Sequence, residues 1–142
     1  MNDQGCVIGI EHIKELVDFG IKNISKHNKD LIYNKKIKII LGDGRLGCKN
    51  EGPFDCIHVG GVAEEPPEYL LKLLKDGGRL VMPLYNKDKE FIYIIDKSKD
   101  KFNIQKGLGV CFSPLTSVEE QLNRFSKKSK NERKENIIQD EK

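Results

Sequence analysis

The chain has 142 residues, 37% of them hydrophobic and 33% charged, with a formal net charge of +3. That length suits one domain with its own core rather than two, and the balance excludes wholesale disorder. Seven Lys/Arg against four Asp/Glu between Leu122 and Lys142 match the whole net charge, so the body is close to neutral, which argues against a nucleic-acid groove as the main function.

Cys6 to Ile10 is apolar on both faces and reads as an interior parallel strand. It stops at Glu11-His12. Ile13, Leu16, Val17, Ile21 and Ile24 then recur at helical spacing with Lys14, Glu15, Lys22 and Asn23 opposite. His27 to Asp30 is a polar loop, with a short turn through Leu31-Ile32-Tyr33. A second strand, Ile37 to Leu41, stops at Gly42-Asp43-Gly44. Gly47 to Pro53 is a loop, and Phe54 to Val59 a third strand that ends at Gly60-Gly61.

Pro66-Pro67 suit a helix start, because proline lacks an amide that would be unpaired there. Tyr69, Leu70, Leu73 and Leu74 are expected as that helix's buried stripe. Asp76-Gly77-Gly78 reads as a turn, and Arg79 to Pro83 as a fourth strand. Glu90 to Asp96 is expected to be buried on both sides, and Leu108 to Phe112 to be the last strand. Thr116 with Glu119 offers a capping box for a short closing helix. Alternating strands and helices point to a three-layer α/β sandwich with a mostly parallel sheet and an antiparallel end. The domain is expected over residues 1–121, followed by a basic, polar, disordered tail over 122–142.

Cys6, Cys48, Cys56 and Cys111 form no CxxC pair and no Cys/His spacing suited to zinc. No apolar segment suits a membrane span and no leader suits secretion. The expected setting is reducing and cytoplasmic, with no membrane partner and a monomeric chain.

In an open parallel sheet, ligands bind at the carboxyl ends of the strands. Glu11 stands at such an end and can accept both hydroxyls of a ribose; read locally, it serves equally well as a helix N-cap. Asp43-Gly44 divides in the same way between a ligand contact and a tight turn. A strand-end His58 is more often packed than catalytic. His12 and His27 carry less signal still. Thr116 reads locally as a cap, and Gln121 has no local meaning.

The ordered segments change these odds. Val7 to Val17, Leu41 to Gly47, Phe54 to Gly60, Leu73 to Pro83 and Gly109 to Thr116 together resemble the protein-L-isoaspartate (D-aspartate) O-methyltransferases in the family's own order. The resemblance implies a Rossmann-like, S-adenosylmethionine-dependent enzyme that methylates the carboxylate of isoaspartyl and D-aspartyl residues in damaged proteins. It implies cofactor contacts at Glu11 (ribose), Asp43 and Gly44 (adenine), Thr116 and Gln121. It implies substrate contacts at Gly60, Gly61 and Val62, although Gly61-Val62 departs from the alanine-rich pattern there, as Leu84 to Lys87 departs from the usual Val-Gly turn. No metal and no catalytic base is implied.

The family's glycine-rich strand-and-loop and its N-terminal serine segment would precede Gly5 and are not found in these residues. The fold is therefore expected to be incomplete, with a central strand absent between the Glu11 and Phe54 strands, and the chain alone poorly folded or inactive. The alternative reading is a non-catalytic remnant or binding module of the same fold. A nicotinamide-dependent oxidoreductase is a weaker third, since it needs the same glycine-rich loop.

Overall fold

The computed structural model describes residues 5–124. Strand β1 (Val7–Glu11) is followed by helices α1 (Lys14–Ser25) and α2 (Lys29–Tyr33), then by β2 (Ile37–Leu41). Two single 3-10 turns, Gly44–Leu46 and Lys49–Glu51, lead to β3 (Phe54–His58), α3 (Glu68–Lys72), β4 (Leu74–Asn86), β5 (Lys89–Ser98) and β6 (Lys101–Val110). A closing helix, α4, runs over 118–124. The body thus continues past residue 121, and residues 125–142 of the expected tail lie outside the described residues.

The strands form two sets. β1 and β2 pair in parallel, with Val7 opposite Ile37 and Glu11 opposite Leu41. The other sheet runs β3-β4-β5-β6, parallel at β3-β4 and antiparallel thereafter. The expected mixture of a parallel sheet with an antiparallel end is present, and the fold class holds. Among the described residues β1 pairs with β2 alone. Cys6 and Val7 are exposed and the rest of β1 is half-buried.

Several element boundaries differ from expectation for physical reasons. β4 begins at Leu74 rather than Arg79, because Asp76-Gly77-Gly78 is a bulge inside a continuing strand and not a terminating turn. Gly77 has φ +78°, and a Cβ on Gly78 would lie 2.9 Å from the Lys75 carbonyl and 3.0 Å from that of Phe54. Leu74 therefore leaves the expected helix stripe. Leu70 is buried, Leu73 half-buried and Tyr69 exposed. β5 is longer than expected and only Ile95 on it is fully buried. β6 starts seven residues earlier than the sequence suggests. It is a sheet edge, exposed along nearly its whole length, so burial left little hydrophobic pattern to read.

The core comprises Val59, Leu70, Leu74, Leu80, Met82, Leu84 and Ile95. It sits in the second sheet and beneath α3. Arg79 and Asp96, opposite each other on β4 and β5, join through two bonds of 2.6 and 2.8 Å, which fix the hairpin register.

Candidate functional site

A cavity of about 920 Å³ lies between the two strand sets. β1 lines it along its full length, as does β3, and the 113–116 segment and Gln121 close its carboxyl end. Glu11, Asp43, Gly44, Gly60, Gly61, Thr116 and Gln121 all stand on its wall. Five parts of the chain bring them there: two strand ends, the turn after β2, the segment after β6 and α4.

Glu11 caps without being the N-cap. That position is Ile13, whose amide donates to Glu11 Oε1 at 2.9 Å. Oε2 makes no bond among the described residues and is available to a ligand hydroxyl. Both local readings of Glu11 are therefore compatible: one oxygen organises the helix start, and the residue also lines the cavity.

Asp43 is more committed. Its carboxylate accepts from the Arg45 backbone amide at 2.9 Å and from the Arg45 guanidinium at 2.6 to 3.1 Å. The guanidinium's hydrogen bonds hold the carboxyl below its ordinary range, with a smaller lowering from His12. The turn at Gly44–Leu46 is thus built by Asp43 as its N-cap. Beside it Gly44 is open, with no atom within 4 Å of where a Cβ would stand. A planar ring can approach the backbone there.

Thr116 is buried, and its hydroxyl donates to the Glu120 carboxylate. The capping box expected at Thr116-Glu119 lies one residue later. The Glu120 amide donates to Ser117 Oγ at 3.2 Å, and the Ser117 amide to Glu120 Oε2 at 3.4 Å. Glu120 is held below its usual range, chiefly by the Thr116 hydroxyl and then by the Ser117 amide. Gln121, without local meaning in the sequence, meets His12. Its Oε1 is 2.6 Å from His12 Nε2. His12 also stands 4.0 Å from Glu11, so this residue joins both ends of the site. Only its place next to Glu11 could have hinted at that.

Gly61 is buried, packed so closely on Leu115 that a Cβ would lie 3.1 to 3.2 Å from it. Val62 does not reach the cavity. Its side chain is 1% exposed, its amide donates to Ser113 at 3.0 Å and its carbonyl accepts from Leu115 at 2.8 Å. These bonds hold the Gly60-Gly61 loop against the 113–116 segment. His58 is exposed at the end of β3 and lines the cavity. No metal-holding cluster of His, Cys, Asp or Glu occurs among the described residues. All four cysteines are free, and no helix among the described residues is long and apolar enough to cross a membrane.

The family model described as Protein-L-isoaspartate(D-aspartate) O-methyltransferase (PCMT) matches residues 1–120. The chain is 43% identical over 124 residues to protein-L-isoaspartate O-methyltransferase 2 of Arabidopsis thaliana, covering 86% of this chain and 40% of that protein. It is 39% identical over 121 residues to the Caenorhabditis elegans protein-L-isoaspartate O-methyltransferase, covering 84% and 54% respectively. A Plasmodium falciparum structure described as the same enzyme in complex with S-adenosyl-L-homocysteine superposes with a TM-score of 0.71 at 34% identity. That match covers 78% of this chain and 52% of the other. The chain spans about half the length of the curated relatives it matches. Matching over most of its own length in sequence and in fold, it belongs to the protein-L-isoaspartate (D-aspartate) O-methyltransferase family.

Proposed function

We infer that the cavity is the cofactor half of a methyl-transfer site, which takes S-adenosylmethionine and methylates the carboxylate of an isoaspartyl residue in a protein or peptide. The observation that carries this reading is the convergence of Glu11, Asp43, Gly44, Thr116 and Gln121 on one cavity wall. The donor set fits the group. Glu11 Oε2 can accept from ribose hydroxyls, Gly44 leaves open space for an adenine face, and Gln121 supplies an amide nitrogen opposite the oxygen engaged by His12.

When bound, S-adenosylmethionine supplies a methyl group on a sulfonium, an electrophile that needs no metal. The chain's residues bind and align. Asp43, whose carboxyl Arg45 holds below its ordinary range, stays ionised at neutral pH, which suits hydrogen-bond acceptance. An isoaspartyl carboxylate is ionised there too and needs no base to become a nucleophile. What remains is alignment of the reacting carboxylate and exclusion of water. Gly60, exposed on the wall beside buried Gly61, offers backbone groups to the substrate main chain. Free thiols suit a reducing, cytoplasmic setting, and we take the chain to act as a monomer.

Isothermal titration with S-adenosylhomocysteine tests the reading, with Glu11→Gln and Asp43→Ala as controls. Micromolar binding weakened in both variants supports a working cofactor half-site. Absence of binding favours the second reading, a non-catalytic module of the fold, for which the split between β1 and β3 is the supporting observation.

A further inference from the structure

Thr116 and Glu120 are joined side chain to side chain, yet only Thr116 stands on the cavity wall. Thr116 is buried there, while Glu120 is exposed on the first turn of α4. The bond between them is not needed to start that helix. Ser117 Oγ already accepts from the Glu120 amide at 3.2 Å, and Glu120 Oε2 accepts from the Ser117 amide at 3.4 Å. The Thr116 hydroxyl is a further donor to that same carboxylate oxygen.

A threonine hydroxyl carries one proton and two lone pairs, and an ionised carboxylate can only accept. The Glu120 carboxyl is held below its ordinary value, first by the Thr116 hydroxyl and then by the Ser117 amide, with smaller help from Arg124 and Arg45. It therefore stays ionised at neutral pH. The Thr116 proton is thus committed to Glu120, and what Thr116 shows the cavity is a lone pair. Released from Glu120, the hydroxyl could turn its proton to a nearby backbone carbonyl or to the cavity. A ligand donor at that point would then meet a second donor, and a buried donor without an acceptor is costly.

We propose that Glu120 is a positioning residue of the cofactor site, acting through Thr116 by fixing its hydroxyl as an acceptor for an N–H or O–H donor of the bound ligand. This rests on the cofactor reading given above and adds to it a residue that does not touch the cavity. The spacing Thr116-Ser117-x-x-Glu120 lets one carboxylate close the helix start and orient the neighbouring hydroxyl together.

The test is titration calorimetry of the whole chain with S-adenosylhomocysteine in wild type, Glu120→Ala, Thr116→Val and the double variant. Urea midpoints are measured alongside. No residue of α4 belongs to the core, so the variants are expected to fold. Glu120→Ala and Thr116→Val are each expected to weaken binding about fivefold. Adding Glu120→Ala to Thr116→Val should change affinity less than about twofold, because the hydroxyl through which Glu120 acts is already gone. Glu120→Gln keeps an oxygen that can accept from Thr116 and should bind within about twofold of wild type. Ser117→Ala removes the cap and should lower the urea midpoint while leaving affinity within about twofold.

Unchanged affinity in Glu120→Ala overturns the proposal, as do equal losses from that change in both Thr116 backgrounds. So does a loss in Ser117→Ala matching that in Glu120→Ala, which would assign the effect to the helix start alone. Each of these leaves the cofactor reading standing. Absence of binding by the wild-type chain overturns both together.

Discussion

His12 Nε2 and Gln121 Oε1 lie 2.6 Å apart although 109 residues separate them in the chain. This bond ties the first strand to the last helix across the mouth of the cavity. With Oε1 held by the imidazole, the Gln121 amide nitrogen is directed elsewhere, and the cavity side is where a ligand would use it.

His12→Ala is expected to weaken S-adenosylhomocysteine binding about tenfold, roughly 1.4 kcal/mol. His12→Gln keeps a donor of similar reach and is expected to recover most of the loss. Titration calorimetry on the two variants checks this; equal affinity in wild type and His12→Ala counts against a positioning role.

Asp43 and Arg45 carry a pH signature. The folded-state carboxyl of Asp43 is held below the ordinary value of 3.8, first by the Arg45 guanidinium. A depressed carboxyl adds stability above its unfolded value and loses it as pH falls through the folded one. Arg45→Ala is therefore expected to lower the urea midpoint by a constant amount above about pH 5. The difference from wild type should shrink below about pH 4. Carbon-detected titration of the Asp43 carboxyl should move toward the ordinary value in the variant. Both groups are partly exposed, so solvent screening keeps the effect modest.

Gly47 has φ +64°, and a Cβ there would lie 2.7 Å from Leu73 Cδ1. Gly47→Ala combines left-handed backbone strain with that collision. It is expected to cost about 1–2 kcal/mol in a denaturant titration. Because the site turn packs on α3 at this point, the variant should also weaken ligand binding.

Lys87 and Lys99 each open a two-residue hairpin loop with φ of 57° and 54°. A side chain in that region costs about 1–2 kcal/mol, against about 0.5–1 kcal/mol of extra chain entropy lost by glycine. Lys87→Gly and Lys99→Gly are each expected to stabilise by about 0.5–1 kcal/mol, read as a raised thermal midpoint. Neither residue lines the cavity, so ligand affinity should not change.

Local patterns located most elements because periodicity is itself local. Ile13 to Ile24 gave α1 and Ile37 to Leu41 gave β2 with its bounds intact. The failures have distinct causes. Asp76-Gly77-Gly78 carries turn chemistry but sits within β4, where a neighbouring strand decides whether the chain ends or bulges. In Lys101 to Gln105, Phe102 and Ile104 do alternate with polar neighbours, but two apolar residues on an exposed edge make a short signal that was passed over. Both Thr116-Glu119 and Ser117-Glu120 satisfy the capping pattern, and only the backbone geometry chooses between them. Glu11, Asp43 and Thr116 were visible by type and place. The His12–Gln121 partnership was not, since no short-range rule joins such distant residues.

The uneven core has a consequence for how the chain responds to ligands. From β1 to the turn at Gly44–Leu46, Val17 is the only buried hydrophobic side chain among the described residues, whereas eight lie in the later half. Burial supplies most folding free energy, so the early half is the unit that opens first and opens alone. Glu11 and Asp43 belong to that softer unit. A ligand that grips them while reaching Thr116 and Gln121 on the firmer one bolts the two together. At a hundredfold excess over its Kd this linkage adds about 2.7 kcal/mol. Occupancy and cooperativity of unfolding are then one property, and a melting curve should sharpen from two steps toward one as ligand is added.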